Sequence, residues 1–222
     1  MVARKSWLIA TAVVAVVVYA AMWVGYAQNW AWLCAVDMHL LRPFHDFGTA
    51  HPGWVSFWVV FCVLFGPSGF RVVGLVLLIV ALVRRNVASA LFLLISIGLM
   101  GFLADGAKSV AGRPRPATAL VSAASTSFPS GHALGAMVGV LALLTVLWPS
   151  LTPRIRTVLA GLGGVLVVVV GVARVVLNVH HPSDVVAGWA LGYLFYLLCL
   201  RVVPPRGLRT AAGRPAAPDS AQ

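Results

Sequence analysis

The sequence predicts an all-α fold: a polytopic membrane bundle of six transmembrane helices, with an interfacial helical segment before the second of them. Two observations lead to this prediction. Of the 222 residues, 61% are hydrophobic and only 9% are charged, and the mean hydropathy is +0.97. In a soluble domain about a quarter of the residues are charged. Apolar runs of about 20 residues also recur, and a helix of that length spans roughly 30 Å of hydrocarbon. We therefore expect one membrane-embedded domain over residues 1–203.

The first apolar run, Trp7 to Ala27, follows Arg4 and Lys5. It is longer than the hydrophobic core of a typical signal peptide, so we interpret it as an uncleaved membrane anchor. Small residues at Gly25 and Ala27 form a weak cleavage site, which leaves removal of this segment as an alternative. Five further spans are predicted at about 70–83, 87–106, 131–148, 157–175 and 184–202.

Residues 28–53 are mixed in character, with aromatic side chains interleaved with charged ones. Aromatic rings prefer the headgroup region of a bilayer, so this segment is predicted to lie at the membrane interface. The next apolar run, Trp54 to Phe65, is short for a span and stops at Gly66-Pro67. We expect an interfacial or partly inserted helix there.

The net charge of +11 comes from sixteen cations that lie almost entirely in the short connections between apolar runs. Such a distribution sets membrane orientation, and we expect no nucleic-acid partner. The positive-inside rule predicts that both termini are cytoplasmic and that residues 204–222 form a disordered cytoplasmic tail. Six cations then fall on the outer side, and four of these belong to the polar motifs described next: Lys108, Arg113, Arg115 and Arg174.

The first two polar motifs flank the start of the fourth span. Lys108 and Arg115 border a turn at the end of the third span, where two cations can clamp one anion. Ser130 is a natural N-cap for the fourth span, and Gly131 allows a ligand to approach the backbone closely. The free N–H groups at this helix start would therefore favour the binding of a phosphate, with His132 beside it. Considered alone, the first motif equally fits a loop that anchors lipid headgroups, and the second fits a capped helix with an interfacial histidine.

The third motif runs from Arg174, at the end of the fifth span, through His180 to Asp184. Pro182 fits a first helical position, which would bring Asp184 within reach of the loop histidine before it. A carboxylate on one imidazole nitrogen fixes the tautomer and makes the other nitrogen a stronger nucleophile. The sequence therefore predicts a nucleophile with its orienting group.

A metal site is the main alternative for the histidines and Asp184, because His and Asp are common metal ligands. Lys108, Arg115 and Arg174 would repel a dication if they converge on the same place. The charges therefore favour an anionic substrate and a mechanism without metal or other cofactor.

Two smaller points stay open in the sequence. Asp105 can pair with Lys108 or Arg113, although an interfacial carboxylate near the end of a span is the favoured interpretation. A disulfide between Cys34 and Cys62 is conceivable if both lie outside the cell.

The three motifs resemble the signature of the type 2 phosphatidic acid phosphatase family, which shares its site with vanadium haloperoxidases. Their order, their spacing and the six spans with an outward-facing site are similar to the family's integral membrane members, so the resemblance covers roughly residues 50–203. One departure is Ala173, where the family usually has Ser; we expect it to remove at most one hydrogen bond, about 1 kcal/mol. The matching residues are Lys108, Arg115, Pro116, Pro129, Ser130, Gly131, His132, Arg174, His180 and Asp184.

The resemblance implies a role for each matched side chain. His180 would attack phosphorus and become phosphohistidine, Asp184 would orient it, and His132 would protonate the leaving oxygen and then activate water. The spacing within the third motif selects His180 over His181. The non-bridging phosphate oxygens would be bound by Lys108, Arg115, Ser130, Gly131 and Arg174.

Together these features predict a phosphatase of the cell membrane that acts on a lipid phosphate, with its site at the extracytoplasmic face and membrane lipids around it. Undecaprenyl pyrophosphate, phosphatidic acid and phosphatidylglycerol phosphate all fit as substrates. Two alternatives remain: a phosphotransferase that uses a lipid phosphate donor, and a lipid-binding or transport protein whose cations only hold headgroups. The sequence leaves the oligomeric state open.

Overall fold

The computed structural model describes residues 2–206, with side chains described from residue 6 onward. The tail predicted at 204–222 lies outside this range except for its first three residues. The described residues form helices joined by loops and a short 3-10 turn at Trp148–Ser150. The helices are α1 (Val2–Ala27), α2 (Ala31–Ala50), α3 (Pro52–Phe65), α4 (Pro67–Val83), α5 (Val87–Ala111), α6 (Gly131–Leu147), α7 (Pro153–Val176) and α8 (Pro182–Val202).

Six stretches of the described chain are long and apolar enough to cross a membrane. They confirm the predicted all-α bundle with six spans, although the helices extend beyond some predicted limits. α5 continues to Ala111, so Lys108 lies inside the helix instead of after it. The stretches are Ser6–Ala27, Pro52–Val83, Val87–Ala111, Gly131–Ser150, Pro153–Val176 and Pro182–Val202.

The segment predicted to be interfacial forms α2 and α3, and α3 is joined to α4 through a break at Gly66. α2 packs against α7 and α8, whereas α3 packs against α4 and α7. Cys62 of α3 lies in a buried cluster with Ala173, Leu177 and Val179, at the end of α7 and just after it. α3 is thus held against the α7–α8 connection, which also carries His180.

α6 lies at the centre of the bundle and packs against α4, α5, α7 and α8. Its residues are small or apolar on every side, as is typical of a helix buried all round. Gly139 permits this packing, because a Cβ there would lie 2.3 Å from the ring of Phe70 on α4. α1 instead packs on α8 and exposes large apolar side chains such as Trp7 and Ile9, as expected for a helix that faces lipid.

A close contact between α6 and α8 positions the start of α6. A Cβ added to Gly188 of α8 would lie 2.5 Å from the carbonyl oxygen of Ser130 and 3.0 Å from the Cβ of Ala133. The Ser130 carbonyl is backbone and cannot rotate away. Any larger residue at 188 would therefore separate α8 from the N-terminus of α6.

We expect Gly188→Ala to lower the free energy of unfolding by about 1–3 kcal/mol, the usual cost of overpacking. Gly164→Ala is the matched control, because nothing lies within 4 Å of a Cβ on this exposed glycine of α7. Helix propensity alone favours alanine there. Thermal unfolding in detergent compares the two variants, and equal melting temperatures would contradict the close α6–α8 contact.

Candidate active site

The loop between α5 and α6 folds back onto the end of α5. Gly112 ends the helix with φ at 62°, in the left-handed region that favours glycine, and its N–H donates to the Lys108 carbonyl at 3.0 Å. The Thr126 hydroxyl also donates to the Lys108 carbonyl at 3.0 Å, and the Ser127 N–H donates to the Arg113 carbonyl at 2.7 Å. These bonds bring the first and second sequence motifs together.

Lys108 and Arg115 meet at Ser125, a residue that the sequence analysis missed. Lys108 Nζ donates to Ser125 Oγ at 2.9 Å, and Arg115 Nε donates to the Ser125 carbonyl at 2.7 Å. Arg115 Nη1 donates to the Val179 carbonyl at 2.6 Å, in the α7–α8 connection. Burial lowers the pKa of Arg115, and repulsion from Arg174 adds to this effect. The cations of the first and third motifs therefore face one another.

Arg174 lies in the last turn of α7 and is buried, with 8% of its surface exposed. Its guanidinium makes no hydrogen bond or ion pair with any residue that the structure describes, and its buried Nε has no partner. A buried guanidinium ordinarily has partners, because its five N–H donors are otherwise unsatisfied. Arg174 therefore has free donors for an anion.

The N-terminus of α6 lies beside these cations. Ser130 is its N-cap, as predicted, and the hydroxyl accepts from the Ala133 N–H at 3.4 Å. The Ser130 N–H donates to the Asp184 carbonyl at 2.9 Å, which links α6 to α8. A Cβ added to Gly131 would lie 3.8 Å from Lys108 Nζ, so the ammonium reaches the first turn of α6. Free backbone N–H groups at this helix start and the ammonium can bind the same anion.

His132 occupies the same first turn and packs against the break between α3 and α4. A Cβ added to Gly66 would lie 2.8 Å from Cδ2 and 3.2 Å from Nε2 of this ring, so glycine leaves room for the imidazole. His132 is also within electrostatic range of Arg174, His180 and Lys108. The structure thus brings the two histidines of the second and third motifs to one site.

His180 is almost completely buried, with 1% of its surface exposed. Its Nε2 lies 3.3 Å from Arg115 Nη1, while its Nδ1 lies 3.4 Å from Ser127 Oγ and 3.6 Å from Asp184 Oδ2. Because a guanidinium can only donate, the contact with Arg115 requires an unprotonated Nε2 and assigns the proton to Nδ1. Burial lowers the pKa of His180 to about 4; Asp184 opposes the shift, and Arg174 and Arg115 add to it. The imidazole is therefore neutral at pH 7, with a lone pair on Nε2.

Asp184 is fully buried, and its carboxylate accepts hydrogen bonds from three neighbouring residues. Its Oδ1 accepts from Arg113 Nη1 at 2.6 Å, and its Oδ2 accepts from the Ser127 hydroxyl and from the His181 N–H at 2.8 Å. Pro182 begins α8, as predicted, and places Asp184 in the first turn. The carboxylate is thus held rigidly beside His180 Nδ1, and Ser127 lies in contact with both groups.

The two adjacent histidines differ in their surroundings. His181 Nδ1 lies 3.2 Å from Asp184 Oδ2, closer than the 3.6 Å of His180 Nδ1, so proximity to the carboxylate does not select between them. His181 is the N-cap of α8 and forms a capping box with Asp184. Only His180 has its second nitrogen against Arg115. The cationic environment, rather than the carboxylate, distinguishes His180.

Asp37 of α2 completes this buried network, and the sequence analysis did not single it out. Its carboxylate accepts from Arg113 Nη2 at 2.8 Å, from the Ser183 N–H at 3.0 Å and from the Ser183 hydroxyl at 2.6 Å. The carboxylates of Asp37 and Asp184 attract the Arg113 guanidinium and raise its pKa, although burial acts in the opposite direction. A signal was present in the sequence: Asp37 is spaced four residues from both Leu33 and Leu41, on the buried face of α2.

Two cavities adjoin the site. One of 290 Å³ is lined by Arg115 and His181 together with residues from the end of α1 and from α2. The other, of 220 Å³, is lined by Lys108, Gly131 and His132 together with residues of α4 and α5. Residues of the site therefore line two separate cavities.

The structure also decides the smaller questions. Asp105 is exposed and forms no ion pair within the described chain, in agreement with the favoured interfacial interpretation. Arg113 pairs with Asp37 and Asp184 instead. Cys34 and Cys62 are both free, so the conceivable disulfide is absent.

This fold and site define a class: multi-pass membrane proteins in which cationic side chains and two histidines cluster at a helix N-terminus, an arrangement suited to an anion. The family comparison is more specific. The model of the PAP2 superfamily matches residues 89–208, and the chain belongs to this superfamily. The resemblance inferred from the three motifs is thereby confirmed.

Several curated proteins are similar in sequence. Phosphatidylglycerophosphatase B of Bacillus subtilis is 31% identical over 154 residues, which cover 68% of this chain and 70% of the relative. Lipid A 1-phosphatase of Rhizobium johnstonii is 28% identical over 190 residues, which cover 77% of this chain and 69% of the relative. Undecaprenyl-diphosphatase of Sulfolobus acidocaldarius is 37% identical over 76 residues, which cover 34% of this chain and 33% of the relative.

A solved structure has the same architecture. The first transmembrane PAP2 type phosphatidylglycerolphosphate phosphatase from Bacillus subtilis superposes with a TM-score of 0.56 at 25% identity. The superposition covers 88% of this chain and 94% of that one. The fold is therefore shared over most of the length of both proteins.

Proposed function

We propose that this chain is a metal-independent lipid phosphatase that hydrolyses a phosphate monoester or a pyrophosphate of a membrane lipid. The observation that carries the proposal is the free guanidinium of Arg174, buried beside a neutral histidine. Family membership and the phosphatase names of the relatives support the general class. The mechanism, the substrate and the membrane face are parts of the proposal.

In the first step, Nε2 of His180 attacks phosphorus and the bond from phosphorus to the leaving oxygen breaks. The contact between Nε2 and Arg115 Nη1, 3.3 Å in the free protein, opens and the guanidinium then donates to a phosphoryl oxygen. Asp184 and Ser127 hold the Nδ1 proton and stabilise the positive charge that forms on the ring. With the anionic phosphate bound beside it, the imidazolium form of His132 donates a proton to the leaving oxygen and becomes neutral.

In the second step, water attacks the phosphohistidine while His132 accepts its proton, which restores His180 and releases phosphate. Phosphoryl transfer depends mainly on positioned charge. Lys108, Arg115 and Arg174 supply three positive charges, and Ser130 and Gly131 lie at the helix N-terminus beside them. The same three charges disfavour a bound dication.

We place the site at the outer membrane face, with the lipid phosphate in the outer leaflet. The support is the distribution of cations: with six spans and a cytoplasmic N-terminus, the connections opposite the site collect Arg84, Arg85, Arg154 and Arg156. The lipid tails would then extend along the bundle surface. The relatives' names suggest phosphatidylglycerol phosphate, lipid A 1-phosphate and undecaprenyl pyrophosphate as substrate types.

Phosphate release by the purified protein, in detergent with EDTA, tests this function against a panel of lipid phosphates. We expect turnover of at least one lipid with EDTA present, because no metal takes part. Loss of activity on chelation, restored by a divalent metal, would contradict the mechanism. A phosphorylated acceptor with little free phosphate would indicate a phosphotransferase, and binding without turnover would indicate a lipid-binding protein.

A second experiment tests which membrane face carries the site. When a water-soluble lipid phosphate is added to intact cells, phosphate release is expected without lysis.

A further inference from the structure

α4 carries a cation that the proposed chemical steps do not use. Arg71 lies five residues after Gly66, inside the apolar stretch Pro52–Val83, and is exposed at the bundle surface. Arginine within a membrane span is costly, and such residues ordinarily serve the binding of a substrate or an ion. Arg71 makes no ion pair with any residue of the described range. Its charge therefore has no protein partner in the free protein.

The side chain of Arg71 is directed across the groove between α4 and α5. A Cβ added to Gly101 of α5 would lie 2.6 Å from Arg71 Nη2, so the guanidinium rests against the α5 backbone. Gly101 lies seven residues before Lys108, which corresponds to about 10 Å along the helix axis. Arg71 thus contacts α5 about two helical turns before Lys108, in the same groove.

Both cations line the cavity of 220 Å³, and His132 and Asp105 line it as well. His132 is the proposed proton donor to the leaving oxygen, so the leaving group should extend into this cavity. The lining of this cavity carries two positive charges and one negative charge, so its net positive charge favours the binding of an anion. A second anionic group of the substrate, between the reacting phosphate and the lipid tail, would lie toward Arg71.

We propose that Arg71 binds a second phosphate on the leaving-group side of the lipid substrate and so favours lipids that carry two phosphates. The shared chemistry is an anionic phosphate next to the reacting one, joined either directly, as in a prenyl diphosphate, or through glycerol, as in phosphatidylglycerol phosphate. Phosphatidic acid lacks this group. The inference rests on the proposed phosphatase function and assigns substrate selectivity to a residue outside the three motifs.

The test compares kcat/KM of the wild type, Arg71→Gln and Arg42→Gln on a prenyl diphosphate, phosphatidylglycerol phosphate and phosphatidic acid. Removing a charged hydrogen bond should lower kcat/KM of Arg71→Gln about tenfold or more on at least one two-phosphate lipid. Hydrolysis of phosphatidic acid should change by less than about twofold. Arg42 is the matched control, because it is an exposed cation of α2 that does not line the cavity. Arg71→Lys, which keeps a point charge, should retain part of the selectivity and provides a second variant if the first unfolds.

Each outcome bears on the inference. Equal losses on all three lipids, or no loss on either two-phosphate lipid, would overturn the role of Arg71 while the phosphatase function stands. Wild-type activity on phosphatidic acid alone would also overturn it. If the wild type releases phosphate from none of the lipids, the proposed function itself fails, and the inference fails with it.

Discussion

His180→Gln is expected to abolish phosphate release, by on the order of 10⁴-fold or more, because the proposed mechanism forms the phosphoryl-enzyme on this imidazole. His180 is the histidine whose Nε2 faces the cations, with its pKa lowered to about 4 by burial, so it is neutral and nucleophilic at pH 7. Glutamine preserves much of the side-chain volume. Phosphate release and trapping of an acid-labile phosphoprotein with labelled substrate measure the effect.

His181→Gln is the matched control for this experiment. The neighbouring histidine caps α8 and contacts the same carboxylate, but it lacks the contact with Arg115. We expect this variant to keep most of the activity and to form the phosphoprotein. If His181 proved essential and His180 dispensable, the assignment of His180 as the nucleophile would be wrong.

Asp37→Ala is expected to lower the free energy of unfolding by about 3–5 kcal/mol, the cost of leaving a buried charge without its partner. The variant removes one of the two carboxylates that neutralise Arg113 and leaves the N–H and hydroxyl of Ser183 without an acceptor. Activity should fall as well, because Arg113 also holds Asp184. Thermal unfolding and kcat measure the two effects.

Asp46→Ala provides the control, since Asp46 is an exposed carboxylate on the same helix. It should change the free energy of unfolding by no more than about 0.5 kcal/mol. Equal destabilisation by Asp37→Ala and Asp46→Ala would argue against the buried network.

Much of the helical scaffold could be predicted from composition and periodicity. The six spans follow from apolar length, because a bilayer admits few other ways to satisfy the backbone. Helix starts were also predictable where a local cap exists, as at Ser130 and Pro182. The sequence also indicated the break between α3 and α4 at Gly66, but it did not indicate that α3 packs against α7.

The polar network was less predictable. Arg113 and Asp37 are 76 residues apart in the chain, and their pairing depends on how α2 docks against the bundle. Ser125 and Ser127 lie in a loop with the composition of an ordinary small-residue linker, so the local sequence did not indicate that they belong to the site. Their hydroxyls become part of the site only when the loop returns to α5.

The sequence alone determined that this protein crosses the membrane, and it identified the cations and histidines of the three motifs, because composition and spacing carry that information along the chain. Only the tertiary structure decided which of these groups are in contact. Arg174 is left without a partner, Arg113 joins two carboxylates, and His180 instead of His181 faces Arg115. The reason is that charge and hydrogen bonding act over a few ångströms in space, and that separation is set by helix packing between residues far apart in the chain.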